Sequence, residues 1–285
     1  MTHRHDVEIH RKKLGEIRDI MNSMKTLAYM ETRKLSRSQQ AQQAVLATVQ
    51  RASADLLRFY PEIAGDSDEQ CHLCVLIGTE RGFCGDFNQS LVRELHRLQG
   101  QQQERPVQVI AIGRKLYTLL EDDPRLRAKI TGASVVEEVG TLISEIVHQI
   151  MSAQTESENT RVTCLFHNGE QHTINRQLIP PFQSLDDFEP EHTHPPLINL
   201  PEQQLLSELA QYYLFAALHD MMYTSLMAEN TKRVSHLEGA VKHLDEEADK
   251  LSKRSNALRQ EEIIEEIEVI LLNTGGLDES DRSNH

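Results

Sequence analysis

Between about Leu205 and Leu272 the chain holds no proline and a single glycine, Gly239. Within that stretch Val234, Leu237, Val241, Leu244, Ala248, Leu251, Ser255 and Leu258 fall at alternating three- and four-residue steps. That is a heptad seam, and it predicts a long helix wound left-handedly against a partner helix, because a 3.5-residue repeat drifts off the axis of a straight helix. At 1.5 Å per residue the element is on the order of 100 Å long, more than an ordinary globular domain can hold.

A second long helix is expected from about Val7 to Phe59, where there is no proline and the only glycine is Gly15. Apolar residues recur there with helical spacing at Leu14, Ile17, Met21, Met24 and Leu27 or Ala28, then at Val45, Val49, Ala52, Leu56 and Phe59. Between the two groups, Ser36 to Gln43 offers only Ala41 to a core, so the seam must be thin and polar there. Such a seam returns little burial for the entropy of ordering the helix, and a surrounding partner is expected to complete its order.

The middle of the chain changes period. Cys71 to Ile77, Val107 to Ile112, Arg161 to Phe166 and Thr173 to Ile179 read as strands. Phe87 to Leu98, Arg114 to Glu121 and Leu142 to Met151 read as helices. Strand alternating with helix predicts a small, Rossmann-like α/β domain with a mainly parallel sheet. Six prolines lie between residues 180 and 204, which reads as a linker. The expected fold class is therefore α+β, with an N-terminal coiled-coil helix over 1–60 and the α/β domain over 70–180. A linker over 181–204, a C-terminal coiled-coil helix over 205–273 and a flexible tail over 274–285 follow. Because the two helices leave and re-enter at the same domain, the simplest packing brings them together antiparallel.

Thirty basic residues against 44 acidic give a net charge of −14, which argues against nucleic acid as a general partner. The first residues have no apolar core and so predict no secretory signal, and no run approaches the roughly 20 apolar residues that span a bilayer. Four cysteines in a chain of 285 residues read as reduced thiols of an intracellular protein. Residues 4 to 37 are rich in Lys and Arg, whereas acid accumulates at Asp245 to Asp249 and Glu261 to Glu268.

Few residues propose chemistry. The loop Gly78 to Gly85 follows a strand and precedes a helix, as phosphate-binding loops do, but lacks the Lys and Ser/Thr of a Walker loop. A tight turn requiring small or left-handed residues is the better reading. Cys71 and Cys74 form a CxxC inside a strand, where residues three apart point to opposite faces, and they read as core thiols. His192 and His194 beside Glu191 resemble metal ligands only in composition. The carboxylates Glu261, Glu262, Glu265 and Glu266 read as a wet helix face. Neither a catalytic group nor a cofactor or metal site is expected. The basic residues Lys25, Arg33, Lys34 and Arg37 lie along one helix, either as a solubilising face or as a docking surface for an acidic partner.

Taken together, these features resemble the gamma subunit of F-type rotary ATP synthases over almost the whole chain. Thr79 to Asn88, TERGFCGDFN, is similar to the family's S-D-R-G-L-C-G-G-L-N loop, with Arg81, Gly82, Cys84, Gly85 and Asn88 in matching places. Gly113 to Lys115 resembles its G-R/K-K turn, and Arg176 to Pro180 its segment ending in L-L-P. Lys13 to Arg18, Met24 to Leu27 and Lys34-Leu35 match its N-terminal helix. Met227 to Arg233 is similar to its S-E-x-x-A-R stretch, and Arg259 to Glu265 to its Q-x-x-I-T-x-E-I. Leu27 replaces the family's methionine, and the closing stretch departs at Glu266 to Gly275. These departures suggest a divergent, alternative-operon form, of the kind that can be sodium-translocating.

The resemblance implies a central rotor shaft without an active site of its own, coupling ion flow through a membrane ring to conformational change in catalytic beta subunits. It implies the alpha and beta subunits, the epsilon subunit and the c-ring as partners, and a peripheral place on the cytoplasmic face of the inner membrane. Lys25, Arg33, Lys34, Arg37, Arg233 and Glu262 are the expected interface contacts. The alternatives are a cytosolic coiled-coil scaffold with a ligand-sensing α/β domain and, more weakly, a thiol enzyme using Cys71 and Cys74.

Overall fold

The computed structural model describes residues 2–63, 71–101, 106–157, 159–169, 172–182 and 194–282. In chain order the elements are α1 (Thr2–Phe59), β1 (Cys71–Ile77), α2 (Phe87–Gln101), β2 (Val107–Ile112), α3 (Arg114–Tyr117) and β3 (Leu126–Ile130). They continue with α4 (Val139–Glu156), β4 (Thr160–His167), β5 (Thr173–Ile179) and α5 (Glu202–Arg282). The fold is α+β, long terminal helices flanking a central mixed sheet. The chain divides into two compact units, residues 27–236 and residues 1–26 with 237–285.

In the larger unit the strand order is β3-β2-β1-β4-β5. The first four strands are mutually parallel and β5 runs antiparallel to β4. β1 is buried along its whole length because it is the central strand, covered on both faces, and its unbroken apolar run is what such a strand requires. Successive side chains point to opposite faces. Leu73, Val75 and Ile77 accordingly meet α4, Leu35 and Leu46 of α1, and Tyr213 to Leu226 of α5. Cys74 and Leu76 meet Phe87, Leu91 and Leu95 of α2 and Leu116 following β2.

β3 is an element that the sequence pattern did not disclose. Arg127 and Lys129 interrupt its apolar residues, as suits a strand paired on one side only, at the end of the sheet. Arg127 is held by two hydrogen bonds to Glu156 of α4, Nη1 lying 2.7 Å from Oε2. α3 is a single turn instead of the expected two, since after Thr118 the backbone N–H groups of Leu119 and Leu120 donate three residues back, to Leu116 and Tyr117; beyond it the Asp123 carboxylate accepts from the Arg125 backbone N–H and from its guanidinium.

In the smaller unit α1 and α5 run antiparallel. Arg4 meets Glu262 at 3.1 Å, Arg18 meets Asp245 at 2.6 Å, and Ser255 Oγ lies 3.5 Å from Glu8. The seam faces inward as its spacing requires: Leu237, Val241 and Ser255 are buried, and Leu244, Ala248, Leu251 and Leu258 half-buried. On α1, Leu14, Met21 and Met24 are half-buried, but Ile17 is 43% exposed. Beside it Arg18 reaches Asp245 of α5 through a solvent-exposed ion pair. In the larger unit the same helix buries Ala28 and exposes Leu27 at 59%. The polar stretch Ser36 to Gln43 has no buried residue, and Gln39 donates to Thr224 of α5 at 3.1 Å.

The turn after β2 depends on one glycine. Gly113 has φ of 99°, and a Cβ there would stand 2.7 Å from the Thr79 carbonyl oxygen. Gly113→Ala is expected to destabilise the larger unit by about 1–3 kcal/mol or more, read as a lowered midpoint in chemical denaturation.

Candidate functional site

The winding of the sheet reverses between β1 and β4, since β2 and β3 lie on one side of β1 and β4 on the other. In open α/β sheets the crevice beyond the carboxyl ends of the strands at such a switch point is where ligands bind. Here that position is taken by α5. Ser225 Oγ donates to the carbonyl of Ile77, the last residue of β1, at 3.4 Å. Ala228 joins the apolar cluster on the α2 side of the sheet, while Met221, Met222 and Leu226 belong to the cluster on the α4 side. The helix thus crosses the end of β1 and touches both layers.

One turn further along, Arg233 is 5% exposed. Its Nε donates to the Gly82 carbonyl at 3.2 Å, one Nη to Asn230 Oδ1 at 2.8 Å, and the other Nη to the Glu229 carboxylate. Glu229 is itself buried, at 4%. Burial pushes its carboxyl up to about 7 against the opposing pull of Arg233, with Glu80 adding to the rise. Outside this pair, Lys232 meets Asp86 at 2.9 Å. An i,i+4 acid and base on an inward helix face form their own charge-assisted bond, and the guanidinium still has donors left for a backbone carbonyl.

The loop that Arg233 grips is shaped from within. Asn88 Oδ1 accepts from the Thr79 backbone N–H at 3.0 Å, and Asn88 Nδ2 donates to Thr79 Oγ1 at 2.9 Å. Phe83 and Gly85 lie at φ of 65° and 58°, so the tight left-handed turn expected here exists, with one of its two positions held by a phenylalanine. Cys84 is buried, and desolvation raises its thiol to about 12. Glu80 fastens the neighbouring strand ends, its carboxylate accepting from the backbone N–H of Arg114 and of Gly132, each at 2.9 Å.

All four cysteines are free and buried. Cys74 and Cys164 have thiols raised by burial, to about 12 and beyond, which keeps them from acting as thiolates at neutral pH. Among the described residues no group of three His, Cys, Asp or Glu is placed to hold a metal ion. His194 is exposed, and His192 and Glu191 lie outside the described residues.

A family profile described as ATP synthase matches residues 4–273. The chain belongs to the ATP synthase family. A relative named ATP synthase gamma chain, from Fuscovulum blasticum, is 24% identical, with 91% of this chain and 96% of the relative covered. Two cryo-EM structures of the Euglena gracilis mitochondrial ATP synthase share the fold. A chain of the rotor superposes with a TM-score of 0.62 at 15% identity, covering 92% of this chain and 99% of that one. A chain of the assembly with OSCP, F1 and c-ring superposes with a TM-score of 0.66 at 13% identity, covering 97% and 95%. This member of the ATP synthase family is a divergent gamma subunit, the central rotor shaft of the F-type enzyme.

Within this family member the expected interface residues divide. Arg33 and Arg37 are exposed on α1, with the Arg33 guanidinium 5.4 Å from the Tyr29 ring centroid. Lys25 is half-buried. Lys34 is exposed but paired with Glu31 at 3.0 Å and Glu137 at 3.5 Å, and the Glu31 bond first of all holds its ammonium above the ordinary lysine range. Glu262 is engaged with Arg4. Arg233 is buried in the larger unit, its guanidinium bonded to Glu229, Asn230 and Gly82. Of the signature loop, Gly82, Cys84 and Asn88 serve that internal junction, whereas Arg81 is exposed. Sequence reasoning passed over Glu229, although an acid and an arginine four apart among Leu226, Met227 and Ala228 were a visible sign of a buried pair.

Glu229 gives the junction a pH signature. The folded chain keeps a proton on this carboxyl between about 4.5, its ordinary value, and about 7, where the unfolded chain has released it. The contribution of this group to folding stability therefore falls as pH rises through that window and levels off above it. Denaturation midpoints across the window should show a smaller fall for Glu229→Gln than for the parent chain.

Proposed function

We propose that the paired segments of α1 and α5 lie inside a hexamer of alpha and beta subunits. The α/β domain meets the epsilon subunit and the c-ring on the cytoplasmic face of the membrane. The observation that carries this reading is the apolar surface near the end of α5, where Ile263, Ile264, Ile267 and Val269 are 45–57% exposed beside Glu261, Glu262, Glu265 and Glu266. Isoleucine is a side chain that water disfavours, and a helix bearing several together calls for an apolar sleeve. No helix among the described residues is long and apolar enough to cross a membrane, which suits attachment through a partner ring.

A single asymmetric shaft cannot make the same contacts with three beta subunits at once. Each catalytic site is then biased towards a different conformation, and turning the shaft exchanges the biases, since a contact shifts an equilibrium only by its differential affinity for the states. Arg33 and Arg37, exposed on α1, supply charge for acidic loops of the hexamer, with Lys25 and Lys34 beside them.

Co-expression with the alpha and beta subunits of the same source, followed by sizing and an ATPase assay, tests this reading. One copy retained per hexamer with altered turnover supports it, and a folded hexamer that excludes the chain overturns it. Reversing both charges, Arg33→Glu with Lys34→Glu, should impair ion-coupled activity while the thermal midpoint of the isolated chain stays near that of the parent.

A further inference from the structure

A rotor shaft must pass torque between its α/β domain and its helices, and apolar packing is poorly suited to that task because it is non-directional and allows a helix to turn in its bed. The junction instead has two directional anchors. Asp220 of α5, 5% exposed, receives Arg176 of β5 at 2.8 Å, and the same guanidinium lies 5.6 Å from the Phe166 ring centroid. Glu229 of α5 orients Arg233 onto the Gly82 carbonyl of the loop after β1. Asp220 and Arg233, the α5 residues that reach the domain, are thirteen residues apart. At 1.5 Å and about 100° per residue this places them roughly 20 Å apart along α5 and about 140° apart around it.

We infer that Arg176–Asp220 and Glu229–Arg233–Gly82 are a two-sided key that fixes the rotational register of α5 in the α/β domain and carries the torque of the coupled enzyme. Anchors on well-separated sides of a cylinder resist rotation in both senses, and their separation along the axis resists tilting. A guanidinium holds its donors in a rigid plane, so it keeps direction where a lysine ammonium would swivel. Arg176, Asp220, Glu229 and Arg233 act as positioning residues, since none of them meets nucleotide or ion. The inference rests on the assembly described above.

The test uses the whole membrane-bound synthase and measures ATP hydrolysis together with ion pumping, with and without an opposing ion gradient. Removing single partners would strand buried charge, so the informative variants replace each pair by apolar side chains: Glu229→Leu with Arg233→Met, and Arg176→Met with Asp220→Leu. Such replacements are commonly tolerated by the fold. With both keys removed, hydrolysis without an opposing gradient should persist, whereas ions pumped per ATP should fall progressively as the gradient is raised. Arg233→Lys, which keeps the charge but loses the planar fork, should fall between the parent and the apolar pair. Pumping per ATP that stays at the parental level under load in the fourfold variant overturns the key. So does a fourfold variant that assembles with the parental amount of enzyme yet loses hydrolysis and pumping equally at every gradient. A parent chain that fails to assemble would overturn the partner reading and not the key.

Discussion

The guanidinium of Arg233 is the point on which the larger unit depends. It is buried beside a buried carboxylate, and a charge in that position persists only when every donor finds a partner in good geometry. That requirement fixes three things together: the face of α5 turned to the sheet, the path of the loop from Thr79 to Asn88, and the approach of the Gly82 carbonyl. The left-handed backbone at Phe83 and Gly85 follows, because the chain must fold back within a few residues to present that carbonyl and still begin α2 at Phe87. Glu80, two residues earlier, ties the ends of β2 and β3 to the same loop.

The family signature thereby acquires a physical meaning. Gly82 offers its carbonyl to Arg233, and Cys84 is buried. Asn88 closes the loop by accepting from one backbone N–H and donating to one hydroxyl. These are the demands of a junction between helix and sheet, and none of them needs a substrate. In the proposed assembly this chain contributes geometry.

Much of the architecture was legible because periodicity survives without context. The seam from Val234 to Leu258, the unbroken apolar run of β1 and the strands β2, β4 and β5 each announce their element. β3 was not, since Arg127 and Lys129 place charge where the pattern expects apolar residues and only pairing with β2 makes that segment a strand. Ile17 shows a similar limit: local spacing favours the isoleucine inward, yet it is 43% exposed. Arg233 shows another. An arginine in a charged helix reads as surface, and only its spacing from Glu229, directly after Leu226, Met227 and Ala228, points to its enclosure.

The crevice at the switch point has a further consequence. In proteins of this winding it receives a diffusible molecule, whose occupancy rises and falls with supply. Here its occupant is a segment of the same polypeptide, returning after more than a hundred residues, and a tethered occupant acts at an effective concentration that a free metabolite does not match. The occupant is thus covalently part of the domain it fills, and its place does not vary with the concentration of a ligand.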